Sequence, residues 1–188
     1  MYKNGALMQG SLLKVMADCI HIFPFTSDEI CEELVSTFER CSWEVDSGSF
    51  FDIEICRDSN IVLKVLSILQ PIVTSDFRDR LFSELNFLGS GDFRVILQKY
   101  GLGSNVGVHT DSNMRELRVI LCLNRGWEEQ DGGVWIFSND SDLKKNRRIL
   151  PPVNNSAIGF VCGGESYHCM SLKNRNTSYS VVICFDAA

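Results

Sequence analysis

Histidine is scarce in this chain, and recognisable targeting segments are missing from it. Of 188 residues, only 3 are histidine. No apolar run reaches the roughly 18 residues that a membrane-spanning helix requires. The N-terminal segment, MYKNGALMQGSLLKVMADCIHIF, has neither the arginine-rich composition of a transit peptide nor the long apolar core of a signal peptide. We therefore expect a cytoplasmic protein with no membrane partner.

Positive charge is also in short supply. The 18 Lys and Arg residues are outnumbered by 24 Asp and Glu residues, which gives a formal net charge of −6 at pH 7. A protein that binds nucleic acid needs an excess of positive charge opposite the phosphates. The composition therefore argues against nucleic acid as a partner, and it leaves the oligomeric state open.

Cysteine is abundant, but no paired spacing is present. The 8 cysteines lie at positions 19, 31, 41, 56, 122, 162, 169 and 184, and none forms a CxxC motif. Several lie in apolar strand-like segments, where a reduced cysteine behaves as a small hydrophobic residue. We expect free thiols in a reducing compartment, and the spacing gives no support for a structural zinc site.

Helical patterns occupy the first half of the chain. Residues 26–41 begin with a predicted capping box of Thr26 and Glu29, and their apolar positions repeat on one face of a helix. Two further helices are predicted at residues 60–70 and 76–85, the last of them capped by Thr74 or Ser75.

Strand patterns dominate the second half, after a turn predicted for GSGD at residues 89–92. Short segments rich in β-branched and aromatic residues are separated by Gly, Asn, Asp or Pro; they are FRVILQKY, LRVILCLN, GGVWIF, SAIGFVC, SYHCMSL and SYSVVICF. Helices followed by strands indicate an α+β protein, mainly β, with a helical layer on an antiparallel sandwich or barrel. We expect one domain over residues 1–188, in which residues 1–90 are mainly helical support.

A histidine and an aspartate two residues apart lie where a buried strand pattern is about to begin. In a strand that ends in a turn, residues i and i+2 project to the same side, so His109 and Asp111 can share one metal ion. His168, at the start of a late strand, is the candidate third ligand. Two histidines and one carboxylate on one face of an ion are typical of non-haem Fe(II) oxygenases. The alternative for His168 alone is a hydrogen-bonded histidine at a strand end.

The surrounding motifs resemble those of Fe(II)/2-oxoglutarate-dependent dioxygenases, in the prolyl-4-hydroxylase-like branch. The similar segments are FRVILQKYGLGSNVGVHTD, RELRVILCLNRGWEEQDGGVWIF, AIGFVCGGESYHCMSL and SYSVVICF, which together cover about residues 93–187. The resemblance implies a double-stranded β-helix (jelly roll) with N-terminal helices packed on one sheet. Residues 91–188 would form the jelly-roll core that carries the metal site.

The resemblance also implies a chemistry. His109, Asp111 and His168 would bind Fe(II), with 2-oxoglutarate as cosubstrate and O₂ as oxidant. An unactivated C–H bond of an amino acid, a small metabolite or a peptide residue would be hydroxylated, with succinate and CO₂ as coproducts. Because related halogenases lack the carboxylate ligand, the presence of Asp111 favours hydroxylation.

The sequence departs from this family at the cosubstrate anchor. Relatives have a basic residue near the start of the last strand, which pairs with the distal carboxylate of 2-oxoglutarate, whereas this chain has Ser178. A serine hydroxyl cannot neutralise a buried carboxylate. Period-two alternation points Arg118 inward, and its planar guanidinium suits a carboxylate. Arg175, in the loop before the last strand, is the second candidate.

Other side chains are expected to contact the cosubstrate through hydrogen bonds. They are Gln98, Tyr100, Ser178 and Ser180. Two alternatives remain at this stage: a non-haem Fe(II) oxygenase that does not use 2-oxoglutarate, and a non-catalytic jelly-roll binding protein.

Overall fold

The computed structural model describes residues 10–16, 18–49, 51–111, 115–144 and 146–188. Its helices are α1 (Asp28–Phe38), α2 (Ser59–Leu69) and α3 (Ser75–Leu85). Its strands are β1 (Ser11–Met16), β2 (Cys19–Phe23), β3 (Glu44–Ser47), β4 (Phe51–Cys56), β5 (Gly89–Tyr100), β6 (Asn105–His109), β7 (Glu116–Leu123), β8 (Trp135–Ser138), β9 (Arg148–Leu150), β10 (Ser156–Val161), β11 (Tyr167–Met170) and β12 (Ser178–Ala187). No helix in these ranges is long and apolar enough to cross a membrane.

All twelve strands belong to one antiparallel sheet. Its order is β1-β2-β10-β7-β12-β5-β4-β6-β11-β8-β9, and β3 pairs with β4 outside this path. Strands that are distant in sequence are therefore neighbours, as β12 lies between β5 and β7. The protein is mainly β, and its topology is consistent with a jelly-roll-like fold.

The two faces of the sheet bury different sets of residues, and β7 shows the division clearly. Leu117, Val119, Leu121 and Leu123 belong to a core cluster that also contains buried side chains of all three helices. Ile120 and Cys122 belong to a second cluster, which lies on the opposite face with Tyr100. The period-two prediction for this strand is confirmed, because successive side chains of an extended chain alternate between faces.

Helices α2 and α3 lie within one residue of their predicted bounds, whereas α1 covers only Asp28–Phe38 of the predicted residues 26–41. Thr74 caps α3, since its hydroxyl accepts a hydrogen bond from Phe77 N at 3.3 Å. The predicted capping residue of α1 was wrong: Ser27 occupies the cap position. Thr26 is instead bound through its backbone N–H to Asn155 Oδ1 at 2.8 Å, which holds it outside the helix.

The turn predicted at residues 89–92 is also wrong, because this segment is the beginning of β5. Gly89 pairs with Ala187 at the end of β12. Sheet pairing therefore outweighs the local turn preference of the glycines. Four strands, β1 to β4, lie in the first half of the chain that the sequence patterns assigned mainly to helices.

Candidate metal centre

Two neighbouring strands bring the two predicted histidine ligands together. His109 ends β6 and lies directly opposite His168 of β11 in the antiparallel register. Their ring centroids are 4.2 Å apart. Residues directly opposite on one face are the closest cross-strand neighbours in a sheet. The pairing of β6 with β11 thus joins side chains that are far apart in the sequence.

Backbone carbonyl groups orient both imidazole rings. His109 Nδ1 donates to Gly107 O at 2.9 Å, and His168 Nδ1 donates to Ser166 O at 3.1 Å. When Nδ1 carries the proton, Nε2 presents its lone pair, and this arrangement is typical of metal-binding histidines. The two Nε2 atoms are therefore the candidate ligand atoms.

Asp111 completes a group of three ligand atoms. Its Oδ1 lies 3.7 Å from His109 Nε2, and its Oδ2 lies 3.5 Å from His168 Nε2. The ligand atoms of the three side chains all lie within 4.8 Å of one another. Two imidazole nitrogens and one carboxylate oxygen at this separation could hold one divalent metal ion.

An arginine keeps the aspartate in place. Arg118 Nη1 lies 2.8 Å from Asp111 Oδ2, and Arg118 Nη2 lies 2.5 Å from Glu116 Oε1. Glu116 is buried and also pairs with Arg94, at 2.5 Å. Arg118 thus bridges two acidic side chains next to the ligand set. Its predicted inward orientation is confirmed, because it lines the main pocket described below.

Aromatic rings enclose His168. The ring of Phe137 stacks on it at 5.6 Å, and the ring of Phe160 lies at 4.8 Å. Its side chain is 3% exposed. Burial and the nearby His109 lower the pKa of His168 from its ordinary value of 6.5 to about 4. The imidazole is therefore neutral at pH 7, as metal binding requires.

This low pKa predicts that acid destabilises the metal-free protein. The unfolded chain binds a proton at His168 below about pH 6.5, whereas the folded protein resists protonation until about pH 4. The free energy of unfolding should therefore fall as the pH is lowered through this window. Urea unfolding of the metal-free protein between pH 7.5 and 4.5 measures it. A His168→Gln variant should show a flatter dependence, and an equal slope in both proteins would contradict the prediction.

The three ligands lie at one side of a pocket of about 470 Å³, which we call the main pocket. Gln98, Tyr100, Arg118 and Ile120 contribute to its wall, as their alternation along the strands predicts. The sequence analysis missed the contribution of β3 and β4, which is Asp46, Phe51, Ile53 and Ile55. The alternation of apolar residues in FDIEIC was the available signal for β4.

Three of the predicted polar contacts to the cosubstrate, Gln98, Tyr100 and Ser180, form a hydrogen-bonded group, of which Gln98 and Tyr100 line this pocket. Tyr100 Oη donates to Gln98 Oε1 at 2.6 Å, and Ser180 Oγ donates to the same oxygen at 3.3 Å. Ser178 lies opposite Tyr100 in the register of β12 with β5. Burial raises the pKa of Tyr100, so its hydroxyl remains a donor.

A second, smaller cavity adjoins this group, and we call it the side cavity. Tyr100 and Trp135 line both it and the main pocket. Its other walls include Cys122, Asn124, Gly133, Met170, Ser178 and Ser180. Arg175 is exposed and lines neither cavity. The structure thus separates Arg118, beside the ligands, from the serines at the side cavity.

Comparison with solved structures supports the fold. No family model and no curated protein matches the sequence. Among solved structures, a prolyl-4-hydroxylase from Pseudomonas putida is 17% identical with a TM-score of 0.71, covering 91% of this chain and 93% of that one. A Trichoplax adhaerens prolyl hydroxylase in complex with a hypoxia inducible factor peptide fragment is 14% identical with a TM-score of 0.74, covering 91% and 84%.

A viral collagen prolyl hydroxylase from Paramecium Bursaria Chlorella virus-1, a complex with 2-oxoglutarate, is 16% identical with a TM-score of 0.63. This match covers 90% of the present chain and 96% of the viral chain. These structures share the fold of the present chain, and the structural similarity covers about nine tenths of it.

Proposed function

We propose that this protein is an Fe(II)/2-oxoglutarate-dependent hydroxylase. The observation that carries the proposal is the convergence of His109, Asp111 and His168, whose ligand atoms lie within 4.8 Å of one another at the side of the main pocket. The fold shared with prolyl hydroxylases supports it. Fe(II), 2-oxoglutarate and O₂ are the implied cofactor, cosubstrate and oxidant.

The donor set fits iron. Two neutral imidazoles and one carboxylate are the ligands of non-haem Fe(II) oxygenases, and they leave further coordination positions open. The carbonyl groups of Gly107 and Ser166 fix the rings so that Nε2 is available. Bound iron would supply oxidation by O₂, coupled to the decarboxylation of 2-oxoglutarate to succinate and CO₂.

The protein side chains have three tasks in this reaction. Arg118 holds Asp111 by a 2.8 Å ion pair, so the carboxylate keeps its position before the metal arrives. Phe137 and Phe160 fix the ring of His168 and exclude water from it. Phe51 and Ile53 of β4 give the pocket an apolar wall, against which the hydrocarbon part of a substrate can pack.

The substrate class we propose is an amino acid, a small metabolite or a residue within a peptide. A pocket of about 470 Å³ suits a small molecule or a single side chain. Unactivated C–H bonds are the expected target, and the presence of Asp111 favours hydroxylation over halogenation. One neighbouring structure, the Trichoplax prolyl hydroxylase, contains a peptide.

A second candidate is a non-haem Fe(II) oxygenase that does not use 2-oxoglutarate. The observation in its favour is Ser178, which stands in the strand position where relatives are basic. This candidate keeps the three metal ligands and replaces the cosubstrate.

Succinate production tests the two candidates. We expect the purified protein to convert 2-oxoglutarate to succinate only when Fe(II) and O₂ are both supplied, since slow uncoupled turnover needs no specific substrate. Succinate is measured by mass spectrometry, with samples lacking Fe(II) or O₂ as controls. If the iron-loaded protein neither binds 2-oxoglutarate in a calorimetric titration nor forms succinate, the second candidate replaces the first.

A further inference from the structure

A fully buried lysine near the side cavity has no hydrogen-bond partner among the described residues. Lys173 is 0% exposed, and its Nζ finds no acceptor in the part of the chain that the structure describes. The lysine ion pairs within that part belong to Lys99 and Lys144. Burying an ammonium group without an anion is costly. Such a group indicates that an anion from outside the chain completes the site.

Backbone hydrogen bonds fix the segment that carries Lys173. Its N–H donates to Ser104 O at 2.8 Å, and its carbonyl accepts from Gly103 N at 2.9 Å. On the other side it forms a β-bridge with Gly132, which has a φ of 67°. A Cβ on Gly132 would lie 2.1 Å from Leu172 O. Glycine is therefore required there for the lysine segment to pack against this loop.

The side chain of Lys173 packs against Gly133, a residue of the side cavity. A Cβ built on Gly133 would lie 3.1 Å from Lys173 Cδ and 3.9 Å from Lys173 Nζ. Gly133 itself lines the side cavity. The ammonium group therefore lies close to the backbone of a residue that lines the cavity, and a side chain at position 133 would crowd the lysine.

The other polar groups around the side cavity are also donors. Asn124 lines it, and its buried Nδ2 has no acceptor among the described residues. Ser178 and Tyr100 add hydroxyl groups to the same wall. The cavity has about 10 Å³ of room, the space of one water molecule, so a carboxylate would enter it only as the surrounding side chains move apart. An ammonium, an amide and hydroxyls around so small a space would bind a carboxylate.

The nearest acidic group does not neutralise the lysine directly. Burial lowers the pKa of Lys173, and the charge of Asp131 opposes this shift. The oxygens of Asp131 accept hydrogen bonds from Asn176 Nδ2 at 3.2 Å and Glu128 N at 3.0 Å. The charge of Asp131 therefore helps to keep the amine of Lys173 protonated. The N–H groups of that amine stay available for another acceptor.

We propose that Lys173, assisted by Asn124 and Ser178, binds the distal carboxylate of 2-oxoglutarate in the side cavity. This inference rests on the proposed function, and it identifies the cation that the last strand lacks. Arg118 suits the role less, because it is engaged by Asp111 and Glu116. In the sheet register Arg118 faces Cys184, on the order of 20 Å along β12 from Ser178.

Binding measurements without turnover test this assignment. We would titrate the Mn(II)-loaded protein with 2-oxoglutarate and with 2-oxopentanoate, which has a methyl group in place of the distal carboxylate, in an anaerobic calorimeter. A Lys173→Met variant should bind 2-oxoglutarate about 100-fold more weakly and 2-oxopentanoate unchanged. Lys173→Gln, which keeps a donor, should show a smaller loss. Lys64→Met, on α2 and outside both cavities, is the matched control.

The stability of the metal-free protein gives an independent readout. Lys173→Met removes an unpaired buried charge, so its melting temperature should rise by about 2–4 °C while its affinity for 2-oxoglutarate falls. Equal weakening of both ligands, or full retention of 2-oxoglutarate binding, would overturn the assignment and leave the hydroxylase proposal standing. A wild-type protein that binds 2-oxopentanoate but gains nothing from the distal carboxylate would also overturn it. If the wild-type protein binds neither oxo acid, the cosubstrate proposal fails, and this assignment fails with it.

Discussion

A His109→Ala variant is expected to lose metal binding and turnover together. The substitution removes one of three ligand atoms that lie within 4.8 Å of one another, and the two that remain cannot hold Fe(II) against water. We expect affinity for the ion to fall on the order of 100-fold or more. Calorimetric titration with Fe(II) under anaerobic conditions measures the affinity, and succinate formation should drop to the level of the iron-free control.

The chain offers a matched control for this experiment. His21, on β2, is the remaining histidine, and it does not line the main pocket. A His21→Ala variant should retain both metal affinity and succinate formation. Circular dichroism of both variants establishes that they are folded. Metal affinity that is the same in the His109→Ala variant and the wild-type protein would eliminate the proposed metal site.

An Arg118→Met variant is expected to destabilise the metal-free protein strongly. The substitution leaves Asp111 and the buried Glu116 without the cation they share, and their side chains are only 11% and 4% exposed. Removing one partner of a buried ion pair costs about 3–5 kcal/mol of unfolding free energy. Urea denaturation of the metal-free protein measures the loss. Divalent metal should recover part of it, because the ion replaces the lost positive charge beside Asp111.

Arg94 provides the comparison, because it also pairs with Glu116 but is more exposed. Its side chain is 50% exposed, and an exposed ion pair contributes about 1 kcal/mol or less. Arg94→Met should therefore cost much less than Arg118→Met. Equal losses of unfolding free energy in the Arg94→Met and Arg118→Met variants would show that burial does not determine how much each arginine contributes.

The candidate metal centre could be predicted from the sequence because it depends on local spacing and on strand alternation. His109 and Asp111 are two residues apart, and period two fixed which side of β7 faces the pocket. The short strands β1 to β4 were not predicted. They lie among the helical segments of the first half, and the alternation in FDIEIC, which is the signal for β4, was overlooked there. Pairing within the sheet holds all four in an extended conformation.

The roles of the basic residues depended on tertiary contacts that the sequence does not show. Arg118 was correctly placed inside, but the acidic partners that engage it come from the same strand and from the loop before it. Lys173 lies in the polar segment SLKNRNTS, which has the composition of a solvated loop. Its burial results from hydrogen bonds to two other loops, so no local pattern could have indicated it.

Because His168 lies directly opposite His109, the candidate metal site depends on the pairing of β6 with β11. The β6–β11 ladder includes only His168 with His109 and Met170 with Val106 as aligned partners, with an irregularity between them. A slip of one residue would turn one imidazole to the opposite face. A metal ion bound by both imidazole rings would link β6 to β11, and the two strands would separate more easily without it. Amide hydrogens of β6 and β11 should therefore exchange more slowly in the metal-bound protein than in the metal-free protein.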